Sequence, residues 1–237
     1  INKSLNDESL SNLISEKISK NIEKGKGGAF SFKISNTHRS IGAEVSGMIS
    51  RAHSEKGMPE RLILNFKGTA GQSFGCWNAK GLELNLKGLA NDYVGKGMNG
   101  GKIVITKEKH LKDDRSVLLG NTCLFGATGG EFYANGVAGE RFAVRNSGAK
   151  AIIEGAGDHC CEYMTGGEVI VLGSVGNNFG AGMTGGFAYV FDEDRSFVDR
   201  CNKDLISFNR ITSQEMEAHR SYLKDRIFQF IKETDSN

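Results

Sequence analysis

Long hydrophobic runs are missing from this chain. No stretch of 18 apolar residues occurs, so no membrane-spanning helix is expected, and the start shows no signal-peptide pattern. Charge of one sign is missing too. Thirty basic residues against 28 acidic ones leave a net charge of +2 with no long basic tract, so neither nucleic acid nor an anionic membrane is indicated as a partner. The five cysteines, Cys76, Cys123, Cys160, Cys161 and Cys201, are odd in number and contain no CxxC spacing. That pattern argues against a disulfide framework and a zinc knuckle, and for reduced, mostly buried thiols. Together these absences predict a soluble, cytoplasmic chain. It opens on Ile1 rather than Met, as a piece of a larger protein would.

Glycine, by contrast, is abundant: 26 of the 32 lie between Gly68 and Gly186. Paired marks fall at Gly100-Gly101, Gly129-Gly130, Gly148-Ala149, Gly166-Gly167 and Gly185-Gly186, and after the first gap the steps are 18–19 residues. That period is in the range of short solenoid repeats. Each mark precedes a strand-like run whose second and fourth members are apolar: Ile103/Ile105, Phe132/Ala134, Ala151/Ile153, Val169/Val171 and Ala188/Val190. Side chains alternate faces along a strand, so these members should stack as an interior ladder. The first members, Lys102, Glu131, Lys150 and Glu168, would place opposite charges on neighbouring outer rungs.

A coil this short has no room for a return helix of ordinary length, but it suits short strands joined by tight corners. A repeated corner must turn at positive φ or let backbones approach closely, and glycine does both. The predicted fold is therefore all-β, a parallel β-helix with coils about 4.8 Å apart. The turn glycines are taken as Gly100, Gly101, Gly129, Gly130, Gly148, Gly155, Gly157, Gly166, Gly167, Gly185 and Gly186. One domain suffices for 237 residues, with a lead-in over 1–28, coils over 29–194 and a tail over 195–237.

Outside the regular coils the signals are local. Leu10, Leu13, Ile14, Ile18 and Ile22 suit one face of a helix over residues 7–22. Phe30, Phe32 and Ile34 alternate, as do Ile41, Ala43 and Val45, which predicts two strands. A short helix or turn is expected over 46–58, before the only proline, Pro59. Residues 107–116 form a charged insert. Thr212-Ser213-Gln214-Glu215 fits a capping box, followed by a helical stripe of Met216, Leu223, Ile227, Phe230 and Ile231. Open solenoid ends invite further pairing, so the terminal helices are candidate caps; the C-terminal stripe could instead dock a partner domain.

Two literal GxGxxG matches, at Gly95 to Gly100 and Gly180 to Gly185, lack the helix that would hold a pyrophosphate, so no dinucleotide site is expected. His159, Cys160, Cys161 and Glu162 are potential metal ligands, but neighbours on a strand face opposite ways, and no metal site is expected. Solenoid enzymes carry carboxylates on their walls, yet no acidic pair recurs at a fixed coil position. Hydrogen bonds that fix corners account better for Asp158 and Glu140. No catalytic residue is assigned. The faces carrying Glu140, Arg141, Arg145, Asp158 and His159 are the candidate polar docking surface.

Four blocks carry a family resemblance: ANDYVGKGMNGGKIVI (90–105), LGNTCLFGATGGEFYANGVAGERFAVRNSGA (119–149), EGAGDHCCEYMTGGEVIVLG (154–173) and NFGAGMTGGFAYVFDED (178–194). The chain resembles the C-terminal GXGXG domain of the glutamate synthase large subunit, and the likeness extends through NTHRSIGAEVSGMIS (36–50) and NFKGTAGQSFG (65–75). The resemblance implies a right-handed, single-stranded parallel β-helix with short terminal helices. It also implies a non-catalytic scaffold that packs against the amidotransferase and FMN-bearing synthase domains. Those domains would convert glutamine and 2-oxoglutarate to glutamate, with FMN and an iron–sulfur cluster bound outside this chain. Two alternatives are an independent β-helix enzyme or ligand-binding protein, and a subunit like that of formylmethanofuran dehydrogenase, which shares a related coil pattern.

Overall fold

The computed structural model describes residues 10–108, 117–201, 206–212 and 216–236. Helix α1 (Leu10–Glu23) leads into β1 (Gly28–Ile34), and α2 (Ala43–His53) separates β1 from the coils. The further strands are β2 (Leu62–Ala70), β3 (Leu82–Ala90), β4 (Asn99–Thr106), β5 (Val117–Leu119), β6 (Gly129–Ala138), β7 (Ser147–Ala156), β8 (Thr165–Val171) and β9 (Gly185–Val190). A last helix, α3, spans Glu217–Thr234. The main path of the sheet runs β1-β2-β3-β4-β6-β7-β8-β9, every pair parallel. This is the expected parallel β-helix.

The interior ladder has the predicted register. Leu84, Ile103, Phe132, Ala151, Val169 and Ala188 stand on successive rungs, and so do Leu86, Ile105, Ala134, Ile153, Val171 and Val190. All are buried except Ala188 and Val190, which stay half-buried on the last rung. A second inner ladder, Ala70, Ala90, Leu119, Ala138, Ala156 and Val175, lines the adjoining wall of the coil. At the N-terminal end Ile14 and Ile18 of α1 and Val45 and Ile49 of α2 join the same core, so these helices close the first rungs.

The third wall is neither strand nor simple corner. In each coil φ is positive at every second residue: Ser73, Gly75 and Trp77, then Tyr93, Gly95 and Gly97, then Thr122, Leu124 and Gly126. The pattern continues through Arg141, Ala143 and Arg145, through His159, Cys161 and Tyr163, and through Asn178, Gly180 and Gly182. Hydrogen bonds explain why side-chain-bearing residues hold this conformation. In the first five triplets the first N–H points to the next coil (Arg141 to the Asp158 carbonyl, 2.8 Å), the second to the preceding one (Ala143 to Cys123, 2.8 Å), and the third forward again (Arg145 to Glu162, 2.8 Å). A backbone held from both sides is over-determined, the condition under which left-handed non-glycine residues persist.

The wall corrects two expectations. Ile41, Ala43 and Val45 are not a strand: Ser40 and Gly42 begin the wall pattern at φ 53 and 98, and α2 starts at once after them. Cys160 and Cys161, expected on opposite faces, are both buried with their sulfurs 3.7 Å apart, because an alternating left-handed backbone lacks the pleat of a strand. The turn glycines also divide. Gly101, Gly130, Gly167 and Gly186 have positive φ, whereas Gly100, Gly129, Gly148, Gly155, Gly157, Gly166 and Gly185 do not. At Gly148, Gly166 and Gly185 the requirement is close approach: a Cβ would lie 2.1 to 2.4 Å from a carbonyl oxygen of the preceding coil.

Thr122 is β-branched and sits in the left-handed region at φ 60, the least favourable residue type for it. Thr122→Asn is expected to raise stability by about 0.5–1 kcal/mol, since Asn tolerates this conformation. Asn178 occupies the equivalent place at φ 56. Chemical denaturation of the two proteins side by side checks this, and a less stable variant would show that the wall is not strained there.

Helix α3 is not an end cap. It lies along the outer face of the sheet, where Phe230 and Leu223 pack on the outward column Val104, Tyr133, Ile152 and Ile170. The buried stripe is rotated from the expected one: Arg226, Phe230 and Thr234 are buried while Ile231 is exposed. Residues 213–215 of the capping box expected at 212–215, and most of the charged insert, 109–116, lie outside the described residues.

Candidate functional site

The five residues expected to form a polar docking surface do come together, on the left-handed wall in two adjacent coils. Arg141 and Arg145 are exposed, as is Glu140, and Asp158 and His159 are half-buried one coil further on. Much of their polarity is already used. Asp158 Oδ1 accepts from the Asn177 N–H at 2.7 Å, and Asn121 Oδ1 accepts from the Glu140 N–H at 2.9 Å, so these side chains tie each corner to the next coil. His159 Nδ1 lies 2.7 Å from Glu162 Oε1, and the Arg145 guanidinium stands 6.0 Å from the centre of the Tyr163 ring. Corner fixing is what was expected of Asp158. The two arginines keep their charge facing outward.

The cysteine chemistry is quiet. Burial pushes the Cys160 thiol well above its ordinary value, raises Cys76, and takes Cys123 up to about 12 and Cys201 to about 11. A thiol held in its protonated form is a poor nucleophile and a poor metal ligand. Among the described residues no group of three His, Cys, Asp or Glu side chains is arranged to hold a metal ion.

A second cluster lies under α3, and sequence reasoning missed its centre. The register aligns Glu83, Lys102, Glu131, Lys150, Glu168 and Phe187 on one outward column, with the expected alternation of sign. The pairs differ from a simple ladder because α3 contributes charges of its own. Arg226, 7% exposed, places Nε 3.2 Å from Glu168 Oε1 and Nη1 3.6 Å from Glu131 Oε1 and 3.3 Å from the Tyr133 hydroxyl. Glu233, two turns along, meets Lys102 Nζ at 2.7 Å; Lys102 also lies 3.2 Å from Glu83 Oε2, an ion pair rather than an aligned hydrogen bond. Lys150, between the two carboxylates that Arg226 takes, is exposed and makes no ion pair among the described residues.

Burial alone would lower the affinity of Lys102 for its proton, but Glu233 and Glu83 together outweigh it and hold the amine above its ordinary value. Arg226 is raised in the same way, by Tyr133 and Glu168 against desolvation. Burial, and after it the bond to Glu168, push Tyr222 up to about 12. The signal that could have found Arg226 is its position: it stands three residues after Leu223 and four before Phe230, on an otherwise apolar stripe. Beyond α3 the outer face opens into a groove of about 1460 Å³ between the C-terminal half of that helix, residues 190–200 and the β2–β3 surface.

Fold and wall together define a solenoid domain of glycine-marked coils, sealed by helices on one end and one face. The GXGXG motif family model matches residues 9–237, and the chain belongs to that family. Among curated proteins it is similar to ferredoxin-dependent glutamate synthase 2 of Synechocystis sp., 52% identical over 207 residues, covering 86% of this chain and 13% of that one. It is 54% identical to the ferredoxin-dependent glutamate synthase of Pyropia yezoensis over 188 residues (78% and 12%). To the glutamate synthase [NADPH] large chain of Bacillus subtilis it is 48% identical over 213 residues (85% and 14%). The chain thus spans about an eighth of the length of these relatives and corresponds to a domain of glutamate synthase. Among the described residues no helix is long and apolar enough to cross a membrane.

Proposed function

We propose that this chain is a non-catalytic scaffold of a glutamate synthase, holding an amidotransferase domain and an FMN-bearing synthase domain in working relation. Catalysis belongs to those other domains, with FMN and the iron–sulfur cluster bound there, in the cytoplasm or an equivalent compartment. The observation that carries this reading is how the wall spends its polar groups: Asp158 and Asn121 bind coil to coil, and His159 pairs with Glu162 within its own coil. The surface that remains, with Arg141 and Arg145 projecting, suits docking. The relatives' own names say that they are glutamate synthases, and this chain matches one stretch of them.

The test is glutamine- and 2-oxoglutarate-dependent oxidation of reduced ferredoxin or a reduced nicotinamide. It is run on the purified chain alone, on a glutamate synthase from which this stretch is deleted, and on the two mixed. Silence from the chain, loss on deletion and recovery on mixing are expected. Turnover by the chain alone, or full activity after the deletion, overturns the scaffold reading.

A further inference from the structure

We propose that the outer face of β1–β3 is the seat of an acidic helix supplied by the remainder of the same polypeptide, lying beside α3 across the rungs. The inference rests on the scaffold reading above and deepens it by naming the surface and the chemistry of its occupant.

The observation is a column of like charges. Lys33, Lys67 and Lys87 occupy one outward register position on β1, β2 and β3, which places them on rungs about 4.8 Å apart. All three are exposed, and none makes an ion pair among the described residues. Like charges directly opposite one another on neighbouring strands are destabilising. The outward column on the far side of Asn65 and Asn85 behaves in the opposite way, alternating Glu83, Lys102, Glu131, Lys150 and Glu168. Protection of a sheet edge against stray pairing accounts for Lys33, on the first strand of the sheet, but not for Lys67 and Lys87, whose strands are paired on both sides.

The chain itself shows what such a column accepts. Helix α3 crosses the rungs, and its charges meet theirs: Arg226 takes Glu131 and Glu168, and Glu233 takes Lys102. The match is geometric, because residues three or four apart on a helix are separated by about 5–6 Å, close to the spacing of successive rungs. Over β2 and β3 the middle outward column changes from apolar to amide, with Asn85 Nδ2 donating to Asn65 Oδ1 at 3.0 Å. A helix there would have polar groups and lysines beneath it, and Asn65, Asn85 and Lys87 line the groove that continues beside α3. Carboxylates at i, i+4 and i+7 would face the three lysines. The chain covers 12 to 14% of its glutamate synthase relatives, so most of such a polypeptide is available to supply that helix.

The experiment uses the full-length glutamate synthase polypeptide containing this chain. Surface amines are acylated in the native protein and in the same protein unfolded in urea, and a parallel sample receives a carbodiimide that joins amines to touching carboxylates. Lys33, Lys67 and Lys87 are expected to react several-fold more slowly in the native protein. They should also link to Asp or Glu residues elsewhere in the same polypeptide. Lys67→Glu should remove both the protection and the links at Lys33 and Lys87. Near-equal native and unfolded rates, links only to a separate protein, or protection that survives Lys67→Glu would each overturn the proposal. Bare lysines in an enzyme that loses activity on deletion of this stretch sink only this inference. Full activity after deletion sinks the scaffold reading whatever the lysines do.

Discussion

Arg226→Met is expected to destabilise the protein by about 3–5 kcal/mol, the range for removing one partner of a buried ion pair. Glu168 is 6% exposed and would be left with its charge beneath α3, while the Tyr133 hydroxyl would lose the guanidinium that stands 3.3 Å away. Glu131 is more open and would recover water. In a chain of this size the cost corresponds to a fall in melting temperature of roughly 10 °C. Adding Glu168→Gln should restore a substantial part of the loss, because no uncompensated charge then remains and the methionine fills apolar space. Native-state hydrogen exchange would separate this from general damage. The α3 amides should lose protection while those of β6 and β7 keep theirs, since the helix is joined to the sheet by one face only. A single variant within 1 kcal/mol of the parent would show that Arg226 does not carry the docking of α3.

What the sequence made legible follows from which interactions are local. The interior ladder of Ile103, Phe132, Ala151 and Val169 was readable because a period of two within each strand and of 18–19 residues between them has only one good solution. The charge column from Lys102 to Glu168 came out of the same register. The left-handed wall did not, since two-thirds of its special positions carry side chains such as Thr122, Arg141 and Tyr163 that by themselves argue against positive φ. Hydrogen bonds from the neighbouring coils impose that conformation, and no single coil contains them. The false strand at Ile41, Ala43 and Val45 has the same origin, since Gly42 at φ 98 turns an alternating stretch into the start of a helix. The face that α3 buries was misjudged because its central residue is an arginine, whose partners lie 58 and 95 positions earlier in the chain (226 − 168 and 226 − 131). Of the docking residues, Arg141 and Arg145 could be placed on a surface from the repeat alone, whereas the part played by Asp158 became visible only with Asn177 beside it.

Gly88→Ala should cost about 4 kcal/mol or more, at the exceptional end for a single substitution, while Gly126→Ala should cost about 1 kcal/mol or less. Both glycines have positive φ, 146 and 62, but only the second lies in the left-handed well that side-chain-bearing residues enter, so conformation already favours tolerance at Gly126. Their surroundings differ. A Cβ at Gly88 would lie 1.9 Å from the Gly68 carbonyl oxygen, and at Gly68 another would lie 2.1 Å from that of Ile34, so the three residues stack on successive rungs with no space between them. Relief requires strands β2 and β3 to part, and the parallel ladder that joins them would break on both sides of the site. At Gly126 a Cβ would meet nothing within 4 Å, and the equivalent positions in other coils hold Trp77, Arg145 and Tyr163 at φ 53 to 56. The alanine there bears only the left-handed strain, partly offset by its less flexible unfolded chain. The same contrast governs Gly166 and Gly185, whose φ is ordinary but whose Cβ would sit 2.4 Å from a backbone oxygen. If urea denaturation found Gly88→Ala and Gly126→Ala equally costly, the glycines would be serving the turn rather than the packing of coil on coil. Unequal costs in the stated order, with a comparable loss for Gly166→Ala where φ is ordinary, would mean that rung spacing selects glycine at the stacked positions, and that the left-handed well is a conformation this backbone can impose on almost any residue.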